Sequence, residues 1–114
     1  MKINRVEFEA LIKRVGKYEL ERVDLTGADL RRINLNGAEL YLANLSEADL
    51  RDADLREANM RMAKFNWANL LRANLSASNL SGAKLNEPVL VGANLSGSEM
   101  IAADFSIEKL TGAK

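Results

Sequence analysis

From Leu20 to Leu110 an apolar residue returns at every fifth position without slippage: fifteen leucines, two methionines (Met60, Met100) and two phenylalanines (Phe65, Phe105) over nineteen sites. Two places before each lies a second, smaller apolar site, alanine in thirteen of twenty cases from Tyr18 to Ala113. The clearest run, Ala43 to Leu80, reads ANLSE ADLRD ADLRE ANMRM AKFNW ANLLR ANLSA SNL. A period of five matches neither the 3.6 of an amphipathic helix nor the 2 of an alternating strand. It suits a coil in which each phrase makes one short side and one corner. The central residue and the small one before it then point inward, and the other three point outward. Four sides close a square of twenty residues, and self-similarity over such a period marks a solenoid whose stacked coils share one core.

Twenty residues per coil puts Leu25, Leu45, Phe65, Leu85 and Phe105 in one inward column, and Leu40, Met60, Leu80 and Met100 in another. Coils should stack about 4.8 Å apart, the spacing of neighbouring strands. The departures from alanine carry meaning. Val23 and Ile33 fall in the first coil, Ser78 and Ser98 share a column and are expected to bond backbone, and Pro88 removes one N–H from the ladder. Glu108 is too costly to bury unpaired, so regular coiling is expected to end near Ile107. Corners such as Thr26-Gly27, Asn36-Gly37 and Ser81-Gly82 place glycine where a type II turn needs positive φ. Where the slot holds Arg32, Glu47, Asp52, Glu57 or Arg72, a different turn is expected.

Residues 1–17 stand outside the repeat. Asn4 and Glu7 are spaced as an N-cap and its N3 partner, Gly16 as a C-cap, and Val6, Phe8, Leu11, Ile12 and Val15 fall roughly on one helical face. A helix over residues 5–15 follows, with the expected role of a lid on the apolar end of the solenoid.

The phrase A(D/N)LXX resembles the pentapeptide-repeat family, and residues 18–112 match it in phase. The lead-in LIKRVGKYEL, Leu11 to Leu20, resembles the short helix and glycine that open many members, especially in photosynthetic bacteria. The resemblance implies an all-β solenoid, a right-handed quadrilateral β-helix, here with a short N-terminal α-helical cap. The expected divisions are a capping helix over 1–17, the β-helix over 18–112 and a tail at 113–114. The chain stops partway through a phrase, as a fragment or a short member would.

Composition narrows the chemistry. The 114 residues suffice for one domain. Sixteen basic and sixteen acidic residues give zero formal charge, which argues against a broad basic field for nucleic acid and against an acidic surface imitating it. Without cysteine or histidine there are no disulfides or thiolate sites, and the usual general base and commonest metal ligand are missing. No apolar run of about 18 residues could span a bilayer, and Met1-Lys2 leads into polar residues, so a cytoplasmic protein without a membrane partner is expected.

Asp and Asn before each central residue, from Asp24 and Asp29 to Asn94 and Asp104, resemble acid/base or metal carboxylates only superficially. On a convex prism they are expected to bond backbone, because a catalytic pair needs a cleft and a shifted pKa. Catalytic, cofactor-binding and metal-binding residues are therefore expected to be none. Arg31, Arg51, Arg56 and Arg61 could form a weak basic patch, but Asp49, Asp54 and Glu57 interrupt it. Arg32, Asp52 and Arg72 alternate in sign along one column, as cross-strand pairs should.

Outward apolar residues are the most suggestive feature. Leu71 and Val91 share a column, Val89 lies on the same side, Trp67 sits at the corner leading into it, and Tyr41, Leu42 and Met62 gather on another side. Contiguous apolar patches mark interfaces, and Trp and Tyr are frequent anchors. Phe105, Ile107 and Leu110 finish the solenoid without a capping helix. Either residues 108–114 cover them or two copies stack end to end as a homodimer, an arrangement that the resemblance to members dimerising through their C-terminal coils makes available. The expected function is a non-catalytic protein-interaction or scaffold module whose partner the sequence does not name. The alternative implied by the family is a DNA-mimicking modulator of topoisomerase (gyrase), disfavoured by zero net charge and the outward arginines.

Overall fold

The structure is a computed structural model and describes residues 3–17 and 19–106. It opens with helix α1, Arg5–Val15. The Asn4 side chain accepts from the Glu7 N–H at 2.8 Å, and the Glu7 carboxylate accepts from the Asn4 N–H at 3.2 Å. That reciprocal pair satisfies two of the donors a helix start leaves open. Gly16, at φ 77°, ends the helix with its N–H on the Ile12 carbonyl. Of the predicted apolar face, Phe8 is fully buried and Leu11 and Ile12 pack on the core, but Val6 is 79% exposed. Val6 lies two positions before Phe8, about 200° around a helix at 3.6 residues per turn, and so faces away from the lid contact.

Beyond α1 the chain pairs with itself at an offset of twenty residues. Asp24 pairs with Asn44, Asp29 with Asp49, Asn34 with Asp54 and Glu39 with Asn59, all parallel, and each column continues coil by coil. The last rung extends into two short strands, β1 (Lys84–Asn86) and β2 (Asp104–Ser106), with Leu85 opposite Phe105. The molecule measures 38 × 21 × 20 Å.

The five-residue phrase places all five of its N–H donors, as the segment from Leu45 to Asp49 shows. Leu45 and Glu47 donate forward to the carbonyls of Lys64 and Asn66, and Asp49 donates back to Ala28. Ala48 closes the corner onto the Leu45 carbonyl at 3.1 Å. The remaining donor, Ser46, bonds the Asn44 side chain at 3.0 Å. Backbone donors must find partners, and the Asp or Asn before the central residue supplies one for the corner.

The central residues fill the axis. Leu25, Leu45, Phe65 and Leu85 are fully buried, as are Leu40, Met60 and Leu80, with alanines between them. Each such Leu, Met or Phe stabilises by roughly 1.5–3 kcal/mol before chain entropy is subtracted. Ser78 and Ser98 donate their hydroxyls to the carbonyls of Leu75 and Leu95 at 2.6 and 2.7 Å, as their shared column suggested. At the N-terminal end Phe8 joins the same buried cluster as Leu20 and Leu25. The exposed rim there is engaged as well: Ile3 donates to the Asp24 carbonyl, Lys17 accepts from Glu39, and Arg5 Nη1 bonds the carbonyls of Asp29 and Arg31.

The corners differ from expectation. Arg32, Glu47, Asp52, Glu57 and Arg72 all hold φ between 56° and 61°, in the same left-handed region as the glycines. A non-glycine residue there costs roughly 1–2 kcal/mol. The ladder imposes it, because each of these residues must aim its N–H at the next coil, as Arg32 does at Arg51 and Glu47 at Asn66. Pro88 does mark an irregularity: it has no N–H to close the corner onto Leu85, and the ladder lengthens there into β1. The expected end of coiling near Ile107, the position of Glu108 and the 113–114 tail lie outside the described residues.

Candidate protein-interaction surface

The outward columns carry any site this fold offers. Trp67 follows the buried Phe65 at a corner, is 58% exposed, and donates its indole N–H to Glu87 Oε2 at 3.3 Å. Val89 and Val91 are exposed on the side that this corner begins. Leu71, in the Val91 column, is half-buried. Trp67, Leu71, Val89 and Val91 thus occupy two successive coils, as the column reading placed them.

The second cluster is a groove of about 370 Å³ lined by Tyr41, Arg61, Met62, Ser81, Gly82 and Ala102. The Arg61 guanidinium sits 5.4 Å over the Tyr41 ring, a cation–π contact between residues twenty apart. Leu42 is half-buried beside it, while Met62 lies over Gly82, where a Cβ would collide with the Met62 sulfur. Ile101, 76% exposed, continues the Tyr41 column and was not singled out from the sequence. The column Tyr41, Arg61, Ser81, Ile101 held that information. Of the proposed end-to-end contact, Phe105 is half-buried, whereas Ile107 and Leu110 lie outside the described residues.

The arginines are occupied. Arg31, Arg51 and Arg56 each reach back two residues with Nε and Nη2 onto both carboxylate oxygens of Asp29, Asp49 and Asp54, at 2.6 to 2.9 Å. Arg61 bonds Asn59, and Arg72 spans coils to Asp52 at 2.9 and 3.2 Å. Side-chain bonds from these arginines hold Asp29, Asp49, Asp52 and Asp54 below the usual carboxylate range. Their acceptor oxygens are committed to guanidinium and corner N–H groups, so Arg31, Arg51 and Arg56 form neutral pairs, and within the patch Arg61 rests on uncharged partners, Asn59 and Tyr41. Among the described residues no three Asp or Glu side chains converge as a metal site would need, and no helix is long and apolar enough to cross a membrane.

The family description "Pentapeptide repeats" matches in eight copies over residues 19–56, 43–72 and 73–106. The chain belongs to the pentapeptide-repeat family. Among solved pentapeptide-repeat structures, Rfr23 from the cyanobacterium Cyanothece 51142 is 36% identical with a TM-score of 0.53, over 75% of this chain and 58% of that one. The chain thus spans less than two thirds of the length of Rfr23. The Nostoc protein alr5209 is 31% identical over 86% of this chain and 77% of its own, with a TM-score of 0.45. A pentapeptide-repeat protein of the Arabidopsis thaliana thylakoid lumen is 32% identical over 83% and 70%, with a TM-score of 0.43. A search of curated proteins gave no match. For pentapeptide-repeat proteins the comparisons imply the quadrilateral β-helix, and the twenty-residue pairing offset here agrees with it.

Proposed function

We propose that this pentapeptide-repeat protein is a non-catalytic interaction or scaffold module, wound as a right-handed quadrilateral β-helix, that contacts another protein through the Trp67 face. The observation that carries this reading is the exposure of Trp67, Val89 and Val91 on neighbouring outward positions, where preceding coils carry Glu47, Asp49 and Arg51. Burying a tryptophan with flanking aliphatics supplies the central anchor that protein interfaces use. The convex faces, together with carboxylates already bonded to arginine and backbone, favour binding over catalysis.

The direct test is affinity capture from a native lysate with the chain as bait, compared with a Trp67→Ser/Leu71→Ser variant of unchanged circular dichroism. Loss of specific captured proteins in the variant supports the reading, and an identical captured set removes this face as the contact. Zero net charge and the forked arginine pairs provide no acidic field resembling DNA. A supercoiling assay with excess protein is accordingly expected to show no effect on gyrase.

A further inference from the structure

From Glu19 to Asp104 the position before each central residue is Asp, Asn or Glu, with three exceptions: Lys64, Lys84 and Val89. That side chain normally accepts the corner N–H two residues on, as Asn59 does from Arg61 and Asn79 from Ser81. An ammonium accepts nothing, and neither does an isopropyl group. The lysine phrases therefore give up a bond that most other phrases make. The Asn86 N–H turns instead to the Asn66 side chain in the coil before it, at 3.1 Å.

Lys64 and Lys84 are also direct partners in the parallel ladder, both exposed, and among the described residues neither makes an ion pair. Like charges placed directly opposite destabilise a sheet. On its other side Lys84 stands opposite Asp104, which offsets part of that repulsion, whereas Lys64 has only Asn44 there. Two local rules are thus strained at one place, which is how functional positions announce themselves in a repeat. All three exceptions border one corner. Lys64 lies three residues before Trp67, Lys84 three before Glu87, and Val89 two after it, while the indole bond ties Trp67 to Glu87.

We infer that this corner receives an acidic peptide segment of a partner protein, with carboxylates on the Lys64 and Lys84 ammoniums and an apolar side chain against Trp67 and Val89. This deepens the reading of the Trp67 face as a protein contact and rests on it. The charge pattern selects the occupant. A carboxylate between the two lysines relieves their repulsion, and the neighbouring apolar surface takes a hydrophobic residue. A nucleic-acid backbone offers no aliphatic group to the exposed Val89 and Val91 surface, whereas a peptide side chain does.

Trp67 is the only tryptophan, so its emission reports on this corner alone. The probes are a synthetic peptide alternating Glu with Leu, its Lys-for-Glu counterpart, inorganic phosphate and a single-stranded oligonucleotide. The Glu/Leu peptide should shift Trp67 emission saturably and bind more weakly as salt rises. Affinity should fall about tenfold in Lys64→Glu/Lys84→Glu, as for charge pairs at an interface, and stay unchanged in the control Lys13→Glu. A Lys64→Asn/Lys84→Asn variant separates binding from folding: it regains both corner acceptors, so its melting temperature should rise while peptide affinity falls. Failure of the Glu/Leu peptide to bind, equal binding to the charge-reversed variant, or equal binding of phosphate or oligonucleotide overturns the inference. If Trp67→Ser/Leu71→Ser loses its captured partners while the lysine variants keep theirs, the protein-contact reading stands and the acidic occupant falls.

Discussion

Asp49 accepts three bonds from Arg51, two from the guanidinium at 2.8 and 2.6 Å and one from the Arg51 backbone N–H at 3.3 Å. One carboxylate closes a corner and neutralises the arginine that follows it. Asn44 and Asn59 close their corners without any charge, so the backbone bond is the indispensable part. Asp49→Asn should therefore leave stability within a few tenths of a kcal/mol, since exposed pairs contribute little. Asp49→Ala should cost about 1 kcal/mol by orphaning the corner donor. Urea titrations of the two variants check this, and equal losses would contradict it.

The carboxylates also set an acid limit. Bonds from Thr26, Arg51 and Arg56 hold Asp24, Asp49 and Asp54 below the ordinary value of 3.8, with Asp29 and Asp52 shifted the same way. Folded values lie below unfolded ones, so this stabilisation is complete above the unfolded value. It is lost as pH falls through the folded values. Melting temperature should be flat with respect to these groups from about pH 7 to 5 and should drop below about pH 4. A melting temperature unchanged down to pH 2 would show that the pairs contribute nothing.

Core packing makes opposite predictions for the two inward positions. Phe65 fills the axis between Leu45 and Leu85, and Phe65→Ala should cost roughly 3–5 kcal/mol. Ala68 is fully buried, so Ala68→Leu should also destabilise, by roughly 1–3 kcal/mol through overpacking. Chemical denaturation midpoints decide both. A neutral Ala68→Leu would mean that the alanine columns are not in close contact.

The corners predict a gain as well as a loss. Gly37 stands at φ 71° with open space where a Cβ would go, so Gly37→Ala should cost about 1 kcal/mol through backbone conformation alone. Glu57, at φ 60°, pays that strain already, and Glu57→Gly should raise stability by up to about 1 kcal/mol, less the added freedom of the unfolded chain. Paired thermal melts check the signs. Gly37→Ala melting at or above the parent temperature would place the strain elsewhere.

Much of this was legible in the sequence because the information is local and repeated. The Asn4–Glu7 box, the Gly16 stop and the serine bonds all involve residues within a few positions of one another. Arg72 on Asp52 was readable from sign alternation at an offset of twenty. The i, i+2 forks of Arg31, Arg51 and Arg56 lie within the recurring ADLR phrase, where the sequence suggests only a weak basic patch interrupted by Asp49, Asp54 and Glu57. The Arg61–Tyr41 contact and the indole bond to Glu87 were not foreseen, although both are column neighbours.

By itself the sequence determined the coil. A period of five with an inward Leu, an inward Ala and, before most corners, a carbonyl-bearing side chain leads to a winding that buries the inward residues and bonds most corner donors. Only the tertiary structure decided the corners and the surface. Arg32, Glu47 and Glu57 enter a conformation they disfavour because paired coils fix the direction of their N–H groups. Outward side chains choose partners from whatever the coils above and below present, so Arg61 lay down on Tyr41, and Lys64 and Lys84 were left facing each other.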